Sequence, residues 1–252
     1  MRSVDLTVVA GRRPDLLSTT LEGFSSRVFA RIGIRDVFVN IDPIFGGKEE
    51  YTECVNLLRF YFPDANIFEP EAPGFCAAVR RVWSATSADY IFHLEDDWLP
   101  LSNIGEEVFS KFDEPNVAQV SFHNADRKWN IQRKGPIHYM KIYRRIFGIK
   151  IPTLHCFPRF STAPSILVGP FARRCAALMN EIYDPEKQFY SGLNIDLERF
   201  VRPYRNYIYS ADGGYVIQDL GRSWSAKRGI VKCTFEGRSV WTKDAEMDWR
   251  RQ

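Results

Sequence analysis

Three carboxylates stand side by side at Glu95-Asp96-Asp97, directly after the apolar run Tyr90-Ile91-Phe92-His93-Leu94. Adjacent anions repel one another, and a divalent cation compensates them well. Magnesium and manganese take carboxylate and water oxygens and keep positions open for the phosphates of a substrate. A cation bridging a diphosphate stabilises charge that builds on a departing nucleotide. The same acids could instead favour the dipole at the N-terminus of a helix opening at Asp97-Trp98-Leu99-Pro100, but that reading explains less well why they follow a strand of the buried type. His93, His123, His138 and His155 have no metal-ligand spacing and read as structural.

The elements that must position these acids alternate in kind. Leu6 to Ala10 is a short apolar run ended by Gly11 and reads as a first strand. Pro14 opens a helix expected to run to about Phe29, with proline at a permitted first-turn position. Asp36 to Ile41 reads as a second strand stopped by Asp42-Pro43, Glu49 to Phe62 as a helix, Asn66 to Phe68 as a third strand, Phe75 to Ser84 as a helix and Tyr90 to Leu94 as a fourth strand. Strands alternating with helices imply parallel βαβ units, whose ligands bind beyond the carboxyl ends of the strands. Gly11-Arg12-Arg13, Asp42-Pro43, Glu69 and Glu95-Asp96-Asp97 follow those ends and should converge on one rim. The second half is less regular. Val117 to Phe122 and Ser165 to Val168 read as strands, Gly169 to about Ile182 and Asp196 to Val201 as helices, and Tyr207 to Tyr209 and Tyr215 to Ile217 as late strands. Residues 123–160 read as loop-rich, basic and aromatic.

With 252 residues, 45% of them hydrophobic and 26% charged, the chain can bury a core as one large α/β domain. A net charge of +3 does not compel a nucleic-acid partner. The cations nevertheless gather in two stretches, from Arg127 and Lys128 through Arg133, Lys134, Lys141, Arg144 and Arg145 to Lys150, and from Arg222 through Lys227 and Arg228 to Lys232, which suit phosphate-bearing ligands as well as solvated faces. The five scattered cysteines show no zinc or redox spacing and suit a reducing compartment. No signal-peptide pattern and no integral membrane segment is legible, so a soluble, cytoplasmic protein is expected.

The first hundred residues resemble a GT-A glycosyltransferase of the family 2 type, in the nucleotide-diphospho-sugar transferase superfamily. The likeness lies in Thr7-Val8-Val9-Ala10-Gly11-Arg12-Arg13-Pro14 at the end of the first strand, Val37-Phe38-Val39-Asn40-Ile41-Asp42 at the second, Pro73-Gly74-Phe75 opening a helix, and Leu94-Glu95-Asp96-Asp97 in place of an Asp-x-Asp motif. The resemblance implies a Rossmann-like, mostly parallel central sheet flanked by helices, with a smaller, irregular acceptor-side half. Residues 1–100 would bind the nucleotide sugar and 101–252 the acceptor. It implies transfer of a sugar, with inversion, from a nucleoside diphosphate sugar (a UDP-sugar expected) to an acceptor hydroxyl, by a hexosyltransferase-like enzyme using Mn2+ or Mg2+. Ala10, Gly11, Arg13, Asp42, Glu69, Gly74, Arg80, Asp96 and Arg222 are then expected at the donor, with Asp42 on the base or ribose. Glu95 and Asp97 are expected at the metal. Asp219, in Val216-Ile217-Gln218-Asp219, stands where the family often supplies a histidine to the metal and is expected to replace it there. Asp196, in Ser191-Gly192-Leu193-Asn194-Ile195-Asp196, sits where the family carries its general base, although Ile195 replaces a usual acid, and it could equally cap a helix and pair with Arg199.

The acceptor could be a glycan, a lipid-linked sugar, a small molecule or a hydroxymethylated base in DNA, with the stretch from Arg127 to Arg145 then meeting the DNA backbone. A nucleotidyltransferase would want a glycine-rich, lysine-bearing loop after the first strand, and Gly11-Arg12-Arg13-Pro14 is poor for that. A non-catalytic nucleotide- or carbohydrate-binding domain is the alternative of another class.

Overall fold

A computed structural model describes residues 2–126, 129–146, 148–190 and 192–243, the side chains of 142–146, 149, 150, 152–155, 234 and 243 excepted. Arg127, Lys128 and Ser191, and the side chains of Arg144, Arg145, Lys150 and His155, thus lie outside the described residues.

The first half follows the expected alternation. Strand β1 (Ser3–Ala10) leads to α1 (Pro14–Phe24), β2 (Gly33–Ile41), α2 (Lys48–Tyr61), β3 (Asn66–Phe68), α3 (Phe75–Ala85) and β4 (Tyr90–Glu95). The helical path after α1 does reach Phe29, but as a π-helical turn over Ser25–Phe29. Strand β1 is buried from Val4 to Ala10, the pattern of a strand covered on both faces. It pairs in parallel with β2 on one side and β4 on the other, so the three polar loops beyond their carboxyl ends share one rim.

After Asp97 the chain does not enter a helix. It forms the short strand β5 (Trp98–Pro100), which removes the helix-dipole explanation of the acidic run. A 3-10 turn over Glu106–Asp113 leads to β6 (Val117–Phe122) and the single turn α4 (Ile131–Lys134). The region expected to be loop-rich instead contains two ten-residue strands, β7 (Ile137–Ile146) and β8 (Ile149–Pro158), forming a long hairpin. Apolar and basic residues are mixed along it without a regular period, and that composition hid the strands. The chain continues through β9 (Ser165–Val168), α5 (Gly169–Leu178), α6 (Ile195–Val201), β10 (Arg205–Tyr209), β11 (Ile217–Asp219), α7 (Gly221–Lys227), β12 (Ile230–Phe235) and β13 (Arg238–Lys243). The late strand expected at 215–217 is thus displaced to Ile217–Asp219.

Nine strands form one sheet in the order β3-β2-β1-β4-β9-β6-β10-β7-β8. Strands β1, β2, β3 and β4 run parallel, as do β6 and β10, and β9 runs antiparallel between β4 and β6. One apolar layer joins α1 and α2 to the sheet through Leu17, Leu21, Phe24, Cys54 and Leu58, and the other joins α3, α5 and α6 through Val79, Trp83, Phe171, Cys175 and Leu197. Gly169 permits the close approach of α5 to the chain before β4: a Cβ there would lie 2.1 Å from the Ala88 carbonyl oxygen. Among the described residues, no helix is long and apolar enough to cross a membrane.

Candidate active site

The neighbouring carboxylates of the acidic run do different work. Asp96 is 1% exposed and ties the first loop to the fourth strand. It accepts the Gly11 amide at 3.0 Å and the Arg13 Nε at 3.1 Å, and its other oxygen takes Arg13 Nη2. Its backbone carbonyl accepts the Thr20 hydroxyl at 2.9 Å. Arg13 also reaches Asp97 Oδ2 at 3.1 Å and lies over the adjoining rings of Phe45 and Trp224, 4.9 and 5.3 Å from their centroids. Burial opposes its charge, but the fields of Asp96 and then Asp97 outweigh that cost, so the guanidinium is held above its ordinary pKa.

Asp97 carries the unbalanced charge. Burial, with Asp96 and Asp219 adding to it, raises its pKa to about 7 against the pull of Arg13. Strand β11 pairs antiparallel with β5, with Asp219 opposite Trp98, so a residue from far along the chain arrives beside Asp97. Gly221 makes this possible: a Cβ there would lie 2.1 Å from Asp97 Oδ2 and 3.3 Å from Asp219 Oδ1. Asp219 also accepts Arg222 Nε at 3.0 Å. Glu95 holds Trp98 Nε1 at 3.0 Å. Burial first, then Asp97, pushes its carboxyl well above the usual range, with Glu186 adding and Lys232 opposing.

These groups line a cleft of about 1070 Å³ at the carboxyl ends of the parallel strands, large enough for a nucleotide-sized ligand. Ala10, Gly11, Arg13, Asp42, Gly74, Glu95, Asp96, Asp97, Asp219 and Arg222 all border it. Asp42 is held by Asn40 Nδ2 at 2.7 Å and the Gly74 amide at 2.9 Å, and burial raises its pKa. Three expected site residues are placed elsewhere. Glu69 pairs with Arg12 at 3.2 Å, and Arg80 turns along α3 to the Ala176 carbonyl and Glu181, because α3 packs on α5 there. Asp196 projects from α6 with its side chain 78% exposed and 3.5 Å from Arg199. None of the three is among the cleft-lining residues. Asn194, not Asp196, caps α6.

The cleft holds residues that sequence reasoning passed over. Asp126, Asp184 and Glu186 bring further carboxylates and Arg159 a further cation, beside Lys232 of the second basic stretch. Asp184 is engaged by Ser239 at 2.6 Å, Lys232 at 3.4 Å and the Glu186 amide at 3.0 Å. One oxygen of Glu186 accepts the Thr162 amide at 2.9 Å. Asp184-Pro185-Glu186 offered one local signal, two acids around a proline outside any helix. The β12–β13 hairpin forms one wall through Val231, Lys232, Ser239 and Trp241, and Trp241 meets Phe45 at 5.5 Å.

Among the described residues, no three His, Cys, Asp or Glu side chains cluster as a complete metal cage. Asp97 and Asp219 nonetheless fit a divalent cation of the magnesium or manganese kind, which takes one or two carboxylates and completes its shell with water and substrate phosphate. Burial, with Asp96 and Asp219 adding to it, raises the pKa of Asp97, a cost that a bound cation would offset, and Gly221, having no side chain, leaves the two carboxylates room to approach.

The fold places the chain in a known structural class. It is similar to the mannosyltransferase PcManGT from Pyrobaculum calidifontis, solved with GDP-Man and Mn2+, with a TM-score of 0.57 and 13% identity over 91% of this chain and 61% of that one. It is also similar to residues 1–349 of S. aureus TarS in complex with UDP, with a TM-score of 0.51 and 13% identity over 85% of this chain and 60% of that one. The architecture is therefore the GT-A glycosyltransferase fold expected from the motifs of the first hundred residues. The chain spans about three fifths of the length of both neighbours. No family model and no curated protein sequence matches it.

Proposed function

We propose that the chain is a glycosyltransferase that moves a sugar from a nucleoside diphosphate sugar to an acceptor hydroxyl with the help of a divalent cation. The observation that carries the reading is the Asp97–Asp219 pair, brought together over Gly221 beside Arg13, inside a nucleotide-sized cleft at the carboxyl ends of the parallel strands. The neighbours' ligands, GDP-Man with Mn2+ and UDP, support the same reading.

In this proposal residues 1–100 supply the donor half and 101–252 the acceptor half. Asp42 and Gly74 face the nucleoside, Ala10 and Gly11 lie along the diphosphate, and Arg222 meets its charge from the opposite wall. Asp96 positions Gly11 and Arg13 and does not touch the donor. Asp97 and Asp219 would hold the cation, which when bound neutralises charge on the leaving diphosphate. Glu186 is the candidate general base. It lies in the cleft, close enough to Glu95 to raise that group's pKa, whereas Asp196 points to solvent. Glu186 would take the acceptor hydroxyl proton as the oxygen bonds to the anomeric carbon and the bond from that carbon to the diphosphate oxygen breaks, with inversion. Glu95, held by Trp98 Nε1, borders the same cleft and faces the sugar.

The test is a donor screen with UDP- and GDP-sugars and manganese, reading released nucleoside diphosphate. Release that requires the cation and falls in Asp97→Asn supports the transferase. Tight sugar binding without release, under every donor, would favour a binding domain instead.

A further inference from the structure

Asp219 reaches Asp97 on a strand of only three residues. A two-stranded ribbon is marginal in water, so pairing with β5 holds β11 weakly by itself. The opposite edge of β11 is held too. Residues 123–126 continue the chain beyond β6 and run alongside it. Asn124 bridges Ile217 in parallel, the Ala125 amide donates to the Ile217 carbonyl at 2.9 Å, and the Val216 amide donates to the His123 carbonyl at 2.8 Å. The last rung is a side chain: Asp126 Oδ2 accepts the Asp219 amide at 3.0 Å. The Asn124 side chain accepts the Asp126 amide at 2.8 Å and fixes that turn. Strand β11 therefore lies between two rails, and the amide of Asp219 itself sits on the second.

His123 ties the second rail to the rest of the molecule. Its ring is buried and packs on Tyr215, with centroids 4.6 Å apart. Nε2 lies 3.0 Å from the Trp129 carbonyl oxygen and Nδ1 lies 3.1 Å from that of Gly214. A carbonyl oxygen only accepts, so a hydrogen on one ring nitrogen joins His123 to one loop, and hydrogens on both join it to both. Trp129 is the fixed end. Its Nε1 donates to the Gly135 carbonyl at 3.1 Å, and its ring packs on His138 and Tyr139. Gly214 is the held end, in the segment that leads into β11. The His123 amide also donates to the Tyr209 carbonyl at 2.8 Å, so one residue joins β10, the following loop and β11.

We infer that His123 and Asp126 are positioning residues for Asp219: they hold β11 in the register that sets this carboxylate beside Asp97. The inference rests on the reading of Asp97 and Asp219 as the cation site. Asp126 borders the cleft, so it must be told apart from a third ligand. Its Oδ2 is committed to an amide, and the oxygen of a neutral carboxamide accepts that bond equally well. A cation would instead miss the carboxylate charge.

The test is calorimetric titration of UDP with and without manganese, with thermal unfolding of each sample. Asp126→Ala, at an exposed side chain, should weaken the manganese-dependent part of UDP binding about five-fold, the scale of one lost hydrogen bond. Asp126→Asn should restore it. His123→Phe keeps a ring and removes both nitrogens. It should weaken the same quantity by about ten-fold or more, while UDP binding without manganese stays as in the wild type. Unchanged manganese dependence in both Asp126→Ala and His123→Phe, even with a lower unfolding temperature, would reduce them to structural residues and overturn the inference. A loss in Asp126→Asn as deep as in Asp126→Ala would make Asp126 a ligand and overturn it as well. A wild type with no manganese-dependent binding would remove the cation site and this inference together. Loss in Asp97→Asn with none in the His123 and Asp126 variants would sink this inference alone.

Discussion

Asp96 and Asp97 are adjacent acids with opposite fates. Asp96 is consumed by Gly11 and Arg13, while Asp97 keeps charge to spare and meets Asp219. Asp97→Asn should therefore remove the cation-dependent part of nucleotide binding, by ten-fold or more, while the free protein keeps its fold. Calorimetric titration of UDP with and without manganese checks this, and unchanged cation dependence would count against the site. Glu186→Gln should cut turnover by ~100-fold or more while sparing donor binding, the usual scale for a lost base. Asp196→Asn should leave the rate within about two-fold, because its exposed pair with Arg199 contributes little. The reverse pattern would return the base to α6.

At the scale of elements, the site depends on one short ribbon. Strands β5 and β11 are three residues each, yet their pairing sets Asp219 beside Asp97. The step from β11 into α7 passes Gly221 so tightly that no side chain fits without moving a carboxylate. Gly221→Ala should displace Asp97, which Arg13 also holds. It should cost about 1–3 kcal/mol of stability, the range for overpacking a filled site, and weaken cation-dependent nucleotide binding together with it. Thermal unfolding and titration on the same sample read both quantities, and a variant that loses neither would show that the carboxylates have room to yield. The latch of Lys232 and Ser239 on Asp184 ties the β12–β13 hairpin to the opposite wall.

Across the whole molecule, the buried sheet carries its own pH sensitivity. His93 is fully buried in β4, and its Nδ1 lies 3.0 Å from both the Thr7 hydroxyl and Trp83 Nε1. Desolvation lowers its pKa from 6.5 to about 3. The unfolded chain thus binds a proton below pH 6.5 that the native chain refuses. Stability is complete above that value and is lost as pH falls towards 3. Between pH 7 and 5 this group alone should remove about 2 kcal/mol. Denaturant unfolding at the two values, compared with His93→Gln, measures the difference. An identical pH slope in the variant would place the sensitivity in other groups.

The parallel half was legible because its signals are local. Apolar β-branched runs, a proline at a helix start and polar residues after each strand all lie within a few positions of what they determine. The rim of Gly11, Asp42 and Asp97 follows from that alternation, while the GT-A fold was expected from the resemblance of the motifs along it. The hairpin of β7 and β8 was hidden because its mixed basic and apolar composition resembles a loop until a partner strand sets the register. The full membership of the cleft was not legible. Asp219 was expected beside the acidic run, but the β5–β11 pairing that brings it there was not; Asp184 and Glu186 were not anticipated, and Glu69, Arg80 and Asp196 find nearer partners. Local chain stiffness and periodicity determined the elements. Which carboxylates share low-dielectric space was decided by tertiary packing, because that depends on residues far apart in the chain competing for the same few partners.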